Sequence, residues 1–313
     1  PLVVSLANTQ EPLYLANRSG NRPSNEGAAG YLDRAIALCR RAGFKRVLLR
    51  GDTDFSQTEH LDRWHLDGVQ FLFGLDARAN LVELAENLPE SAWKTLQRPP
   101  KYEVNTKPRQ RPTNVKEQIV VANGYKNIKL QGEAVACFAY KPYACKRQYT
   151  VVALRKDLAV EHGQCRFFED VRYFFYLTNL PAGDPAELVY LANDRCNQEN
   201  LLEQLRNGVR ALNMPVDGLV SNWAYMVMAS VAWSLKAWFA LRLPERGRWK
   251  EKHRQQKRQV LTMEFKRFVN SFVRVPCQIV RAGRRIVYRL LAWNPWQAVF
   301  ARGLVALGCP LRC

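Results

Sequence analysis

Short apolar runs and stretches of helical periodicity alternate along the first ninety residues of the chain. Short runs of branched apolar residues bounded by turn formers predict strands, and apolar positions three or four residues apart predict helices. The predicted elements are strands at 2–6 and 13–16, a helix at 27–42, a strand at 46–50, a helix at 58–66, a strand at 69–75 and a helix at 80–88. Strands that alternate with helices in this way favour an α/β sheet.

The pattern changes near residue 98. A segment rich in Pro, Lys and Arg at 98–117 is followed by four apolar runs that predict strands, at 118–122, 133–140, 149–154 and 171–177. We therefore interpret 98–180 as a β-rich insertion. The sequence Asp184-Pro185 then has the N-cap and first-turn residues that open helices, and it predicts a helix that ends at Gly208.

Residues 219–235 carry no charged side chain, which gives two interpretations. A membrane span needs about 20 apolar residues, and this run approaches that length. However, it contains three Ser and one Asn and is followed by Lys236, so a buried core helix accounts for it equally well. We predict a core helix and no membrane association, and a basic membrane-associated protein is the alternative.

Charge is the one feature of the composition that departs from ordinary globular usage. Hydrophobic residues make up 47% and charged residues 24%, which excludes a wholly disordered or fibrous chain. The formal net charge is +19, and 15 Lys and Arg against three acids lie between Arg242 and Arg289. This excess indicates a polyanionic partner, with nucleic acid first, although a solvated charged face is the alternative. We expect Lys250, Arg254 and Arg258 to contact DNA.

Cysteine and histidine usage argues against disulfide and zinc chemistry. The eight Cys form no CxxC pair, and none of the four His lies in a Cys/His cluster with zinc spacing. We expect reduced thiols and an intracellular protein without a structural zinc site. The chain opens on Pro1 and passes directly into an apolar run without a secretory signal, so we expect a fragment whose N-terminus lies upstream.

Two carboxylates have positions suited to chemistry. Asp52 follows the predicted strand 46–50, and the carboxyl end of a buried strand is a rigid place from which to hold a metal ion. Asp54 is the second choice in the same segment. The alternative is that Asp52 caps the helix that begins near Ser56 or makes an Asx turn.

The second carboxylate is Glu199, in the predicted helix that begins at Pro185. At about 100° per residue, Arg195 and Arg206 fall within roughly 40° of Glu199. Two guanidinium groups beside a carboxylate are suited to gripping phosphates around a metal-bound acid. The alternative is a surface Arg–Glu pair at i,i+4, which is common and contributes only tenths of a kcal/mol.

Together these features resemble a known family. A strand ending in Asp, a β-rich insertion, a helix with Arg-x3-Glu-x6-basic and a following apolar helix resemble the RNase H-like DDE transposases of bacterial insertion sequences, in the branch with a Tyr-x2-Arg-x3-Glu-x6-Lys signature. Residues 1–5 resemble the segment after that branch's first catalytic Asp, 18–28 its next polar loop, and 222–238 the helix behind its active site. The resemblance covers about residues 1–240.

The resemblance implies a fold and a domain organisation. The fold is α/β, an RNase H-like mixed sheet with flanking helices and a β-rich insertion. Its parts are a first portion of the catalytic core at 1–97, the insertion at 98–180, a second core portion with the Glu helix at 181–241, and a basic DNA-contacting region at 242–313.

The resemblance also implies roles for individual residues. Asp52 takes the place of the second catalytic Asp and Glu199 that of the catalytic Glu, and both would bind Mg²⁺, with Mn²⁺ as a substitute. Arg195 matches the signature Arg, Arg206 replaces the signature Lys, and both would grip DNA. The signature Tyr position holds Ala, and Tyr190 two residues earlier is the nearest candidate. The first Asp would precede Pro1.

The implied activity is Mg²⁺-dependent strand nicking at transposon ends, followed by strand transfer into target DNA. The implied partners are double-stranded DNA, as terminal inverted repeats and as target, and a second copy of the chain in a synaptic homodimer. The implied location is the bacterial cytoplasm, at the nucleoid. The alternative is a catalytically inactive DNA-binding remnant that lacks the first Asp.

Overall fold

The structure is a computed structural model that describes residues 1–98, 115–123, 126–162, 165–181, 183–194, 196–291 and 294–308. It forms two compact units. The terminal unit comprises residues 1–35 and 196–313, and the sheet unit comprises residues 36–195.

The strands, in chain order, are β1 (Leu2–Leu6), β2 (Glu11–Ala16), β3 (Leu48–Gly51), β4 (Gln70–Leu75), β5 (Lys94–Thr95), β6 (Lys126–Tyr140), β7 (Tyr149–His162), β8 (Cys165–Thr178), β9 (Cys277–Ala282) and β10 (Arg285–Leu290). The helices are α1 (Ala28–Arg41), α2 (Leu61–Leu66), α3 (Ala79–Glu86), α4 (Val115–Ala122), α5 (Pro185–Asn193), α6 (Cys196–Glu203), α7 (Leu219–Arg242), α8 (Lys250–Thr262), α9 (Phe265–Phe268) and α10 (Gln297–Gly308).

A six-stranded mixed sheet organises the sheet unit, in the order β3-β4-β8-β7-β6-β5. β3 and β4 are parallel, joined through α2, and the other neighbours are antiparallel. β4 reads as a continuous apolar run, as expected of a strand covered on both faces, and Phe71 and Phe73 are fully buried. α5 packs Leu188 and Val189 against β6 and β7. The predicted α/β class, with a mixed sheet and flanking helices, is confirmed.

β6, β7 and β8 are longer than the apolar runs from which they were predicted. The strands predicted at 133–140, 149–154 and 171–177 are present, but β6, β7 and β8 pair over 14 or 15 residues each. β4 pairs only with the last four residues of β8, so the ladders of β6, β7 and β8 continue well past it as a three-stranded arm. Hydrogen bonds between neighbouring strands extend β6, β7 and β8 beyond the apolar runs from which they were predicted.

The strand predicted at 118–122 is wrong, because this segment lies in helix α4. A short apolar run does not distinguish a strand from a helix by periodicity alone. Here Val115 and Ile119 stand four residues apart, and the amide of Asn123 donates to the carbonyl of Ile119 at 3.0 Å, which is the local bonding of a helix.

The helix predicted from Pro185 to Gly208 is divided. Its start is as expected, because the carboxylate of Asp184 accepts from the amide of Ala186 at 3.2 Å. α5 ends at Asn193, α6 begins at Cys196, and a π-helical turn follows at Gln204–Gly208. The single regular helix is therefore replaced by three segments.

The terminal unit is built around α7. β1 and β2, which correspond to the first two predicted strands, form an antiparallel hairpin that packs beside α7, as do α8, α9 and α10. Two buried clusters share this helix. One contains Leu15, Leu201, Leu205, Ala211, Met226 and Trp233, and the other contains Ala240, Leu243, Val260, Met263, Phe268, Phe272, Trp296 and Val299.

α7 is long and apolar enough to cross a membrane, but a core helix passes the same test. Its polar groups are bonded within the terminal unit. The indole of Trp233 donates to the carbonyl of Gln10 at 2.7 Å, and the amide of Asn222 accepts from the backbone N–H of Val216 at 3.2 Å. These contacts bury one face of α7 in the terminal unit, whereas its other face exposes apolar side chains such as Val220 and Met228.

One charged side chain of α7 is completely buried. The ammonium nitrogen of Lys236 donates to the carbonyls of Leu261 and Met263, at 2.7 and 2.9 Å, where α8 ends, and lies 3.5 Å from the ring centroid of Trp233. Lys236 therefore satisfies carbonyl groups that a helix end leaves without intrahelical partners. Burial lowers its pKa to about 7, because the charged form loses its hydration.

We expect this lysine to make stability depend on pH. In the unfolded chain a lysine keeps a pKa of about 10.4, so between pH 7 and 10 the unfolded state holds the extra proton. Raising the pH through this range favours the folded state, by up to about 1.4 kcal/mol per pH unit. Urea denaturation should show the free energy of unfolding of wild type rising relative to that of Lys236→Met between pH 7 and 9.

The control is Lys252→Met, which removes an exposed lysine of α8. Its free energy of unfolding should run parallel to that of wild type over the same range. A pH-independent difference between wild type and Lys236→Met would contradict a depressed pKa at Lys236.

Candidate active site

Asp52 lies at the carboxyl end of β3, immediately after the pair Gly51 and Phe73 in the parallel register with β4. Its backbone is extended, with φ −82° and ψ −168°, and the 3₁₀ turn Thr53–Phe55 follows. Asp52 is half-buried, whereas Asp54 in the turn is exposed. The side chain of Asp52 makes no capping hydrogen bond to the turn Thr53–Phe55.

Two glycines allow the backbone around Asp52 to pack closely. A Cβ atom at Gly74 would lie 2.9 Å from the amide nitrogen of Thr53 and 3.2 Å from the carbonyl carbon of Asp52. A Cβ atom at Gly51 would lie 2.8 Å from the Cβ of Phe55. Only glycine fits at either position without displacing neighbouring atoms, so β4 and the turn together fix the position of Asp52.

Arg50 connects the end of β3 to the end of α5. Its guanidinium donates to the carbonyl of Leu191 at 2.8 Å and lies 3.8 Å from the carboxylate of Asp194. The last carbonyls of a helix lack intrahelical partners, and a cation there also complements the helix dipole. Arg50 thus holds the chain just before the segment that leads to Glu199.

Glu199 lies in the first turn of α6 and its side chain is exposed. Its neighbour Gln198 fastens the helix to β1, because its amide accepts from the hydroxyl of Ser5 and donates to the carbonyl of Val3, both at 3.0 Å. Leu201 and Leu205 are buried in the core of the terminal unit. These contacts orient α6 so that Glu199 points to solvent beside a fixed backbone.

The other signature residues have different surroundings. Arg206 is exposed in the π-helical turn, so the regular 100° rotation that aligned it with Glu199 does not continue as far as Arg206. Tyr190 is half-buried against the sheet, and its hydroxyl donates to the carbonyl of Gln97, which gives it a packing role. Arg195 lies outside the described residues.

The basic residues of α8 differ in how much of their charge is available. Lys250 and Arg258 are exposed. Arg254 forms ion pairs with Glu245 at 3.3 Å and Glu251 at 2.9 Å, and its charge is therefore partly neutralised within the protein. Hydrogen bonds from Lys257 and Arg254 hold the pKa of Glu245 below its usual range, in spite of a smaller opposing desolvation effect.

The two candidate carboxylates belong to different units, Asp52 to the sheet unit and Glu199 to the terminal unit. In the part of the chain that the structure describes, no three His, Cys, Asp or Glu residues form a group that could hold a metal ion. The donors that the two positions offer are carboxylate oxygens. Mg²⁺ prefers oxygen ligands and is usually bound through one or two carboxylates plus waters and substrate phosphates, so this donor type fits it.

Sequence reasoning missed the residues that support the carboxylates. Gly74 did leave a signal, because an isolated Gly in an apolar strand indicates close approach of another backbone. Gln198 and Arg50 left none, because their partners are distant in sequence: Ser5 and Gln198 are 193 residues apart.

The family model described as Transposase DDE domain group 1 matches residues 1–308. No curated protein gives a significant match.

The close packing at Gly74 generates a stability prediction. In Gly74→Ala the new methyl group must displace the backbone at Thr53, and overpacking of this kind costs about 1–3 kcal/mol. We expect the free energy of unfolding, measured by urea denaturation, to fall by that amount.

The matched control is Gly30→Ala in α1, where a Cβ atom would meet nothing within 4 Å. Ala is preferred to Gly inside a helix, so this variant should be as stable as wild type or more stable by about 0.5–1 kcal/mol. Equal stability of Gly74→Ala and Gly30→Ala would show that the turn at Asp52 tolerates the methyl group.

Proposed function

Because the chain belongs to the Transposase DDE domain group 1 family, it is a transposase that acts on DNA, and we propose that it nicks DNA at the ends of its own transposon and transfers the freed 3′-hydroxyl into target DNA. The family carries out phosphoryl transfer with divalent metal ions, and the mixed sheet with flanking helices is consistent with an RNase H-like catalytic fold.

The observation that carries the proposal is the environment of Asp52. A half-buried carboxylate at the carboxyl end of β3, held between two glycine contacts, is a rigid group in a position to bind a cation. We also assign a metal-ligand role to Glu199, which is presented on a helix that Gln198 fixes to β1. A bound Mg²⁺, or Mn²⁺ in its place, would activate the attacking oxygen and stabilise the departing one.

The protein itself must bind and orient the DNA. We assign phosphate contacts to Lys250 and Arg258, which are exposed on α8, and to Arg206 and Arg195 near the Glu199 helix. Arg254 would have to exchange its two acidic partners for phosphate oxygens. Phosphate contacts of this kind make affinity fall steeply as the salt concentration rises.

The proposal includes the organisation and setting of the enzyme. Residues 1–97 and 181–241 would form the catalytic core, 98–180 its insertion and 242–313 the basic DNA-contacting region. We further propose that the element is a bacterial insertion sequence of the Tyr-Arg-Glu-Lys branch. Two copies of the chain would join its terminal inverted repeats in a synaptic complex at the nucleoid.

We expect Glu199→Gln and Asp52→Asn each to reduce nicking by about 100-fold or more, because each removes a charged ligand that supplies several kcal/mol in the transition state. The measurement is nicking of a duplex that carries the element's terminal repeat, by the full-length protein in Mg²⁺ or Mn²⁺. Affinity for that duplex should stay within about threefold of wild type.

The matched controls are Asp54→Asn in the same turn and Glu203→Gln on the same helix, both exposed. Both should nick at close to the wild-type rate. Loss of nicking in Asp54→Asn but not in Asp52→Asn would transfer the role to Asp54. Binding without nicking by the wild-type full-length protein would favour the inactive DNA-binding remnant.

Gln198 should act as a positioning residue. Gln198→Ala removes two hydrogen bonds that fix α6 to β1, each contributing about 1 kcal/mol. We expect the nicking rate at saturating DNA to fall about tenfold while the apparent DNA affinity stays unchanged. Asn197→Ala, an exposed neighbour on the same helix, is the control and should leave both quantities unchanged. A parallel loss of rate and affinity would contradict a positioning role.

A further inference from the structure

Strands β9 and β10 form an antiparallel ribbon in the terminal unit. They are joined by the two-residue turn Gly283-Arg284, where Gly283 has φ +60°, as the first position of a type II′ turn requires. Within the described residues neither strand pairs with any other strand. All the side chains of β10 are exposed.

The ribbon exposes several large apolar side chains to solvent. The exposed fractions of Ile279, Ile286 and Tyr288 are 60%, 56% and 64%. An isolated two-stranded hairpin is only marginally stable in water, because it has no second layer to bury its side chains against. These three side chains share one face of the ribbon, and Val287 on the other face is also exposed, so both faces are accessible to a partner.

The charge of the ribbon determines the kind of partner. It carries four arginines, Arg281, Arg284, Arg285 and Arg289, and the sequence contains no acidic residue after Glu264. Within the described part of the chain no ion pair joins any of the four to a carboxylate, in contrast to Arg254 and Lys257 on α8, which pair with Glu245. The partner is therefore a polyanion.

The dimensions of the ribbon fit duplex DNA. Six residues per strand at about 3.4 Å each give a ribbon about 20 Å long, the length of about six base pairs. The major groove of B-DNA, about 12 Å wide, admits a two-stranded ribbon. A single RNA strand would leave one face of the ribbon uncovered.

The register places three long polar side chains on one face. Gln278 is paired with Arg289, Val280 with Val287, and Ala282 with Arg285. Successive pairs in this series are two positions apart along each strand. Residues of directly opposed pairs share a face, and positions two apart along a strand share it too. Arg285, Arg289 and Gln278 thus lie on a common face, and Arg and Gln are the side chains that read guanine and adenine edges by paired hydrogen bonds.

We propose that the β9–β10 ribbon enters the major groove of the transposon end and reads its sequence through Arg285, Arg289 and Gln278. The inference rests on the proposed function, because it needs a specific DNA end as ligand. It adds a sequence-reading element to the phosphate contacts assigned to α8.

The test compares the affinities of the full-length protein for a duplex with the terminal repeat and for a scrambled duplex of equal length and composition. The variant Arg285→Lys with Arg289→Lys keeps both charges but loses the planar fork that makes paired hydrogen bonds. We expect its preference for the terminal repeat to fall about tenfold or more, while its affinity for the scrambled duplex stays within about threefold of wild type.

The charge-removing variant Arg285→Gln with Arg289→Gln should bind both duplexes more weakly and lose the preference as well. Its matched control, Arg41→Gln with Arg46→Gln, removes the same charge from exposed residues of the sheet unit and should keep the preference. Unchanged preference in the Lys variant, with normal nicking by wild type, would overturn the ribbon inference alone. Wild-type protein with no affinity for the terminal repeat would overturn both proposals.

Discussion

Burial of one face of helix α7 requires that the polar groups on that face find partners inside the terminal unit, and this requirement orders the elements around it. Trp233 bonds to the turn of the β1–β2 hairpin, and Lys236 bonds to the end of α8. Apolar contacts supply the driving force but tolerate small shifts, whereas each of these hydrogen bonds has a defined direction. The hairpin on one side and the basic helix on the other are consequently held at fixed positions along α7.

Hydrophobic periodicity predicted much of the fold because the elements concerned bury one face. The strands β1 and β2 and the alternation of strands and helices through β4 follow from it. The prediction failed at 118–122, where the run is too short for its period to separate strand from helix. It also failed to detect the divided helix between Pro185 and Gly208, because no Pro or Gly marks the break near Asp194.

Asp52 and Glu199 could be selected from the sequence because each stands at a recognisable point, the end of a strand and the start of a helical motif. The residues that fix their positions could not, apart from the signal at Gly74. Arg50 acts on a carbonyl 141 residues away, and Gln198 on residues of the first strand. The sequence pattern indicates which side chains are suited to chemistry. The backbone groups that hold those side chains can be identified only in the folded chain.

The pairing of β8 with β4 separates two parts of the sheet that can evolve at different rates. Residues 72–75 pair with residues 175–178, and among the described residues this short ladder is the strand pairing that joins β6, β7 and β8 to β4. Lengthening or shortening β6, β7 and β8 together at their far ends leaves that ladder and its register unchanged. The length of these three strands can therefore change while the register that holds β4 beside β3, and with it the strand that precedes Asp52, stays the same.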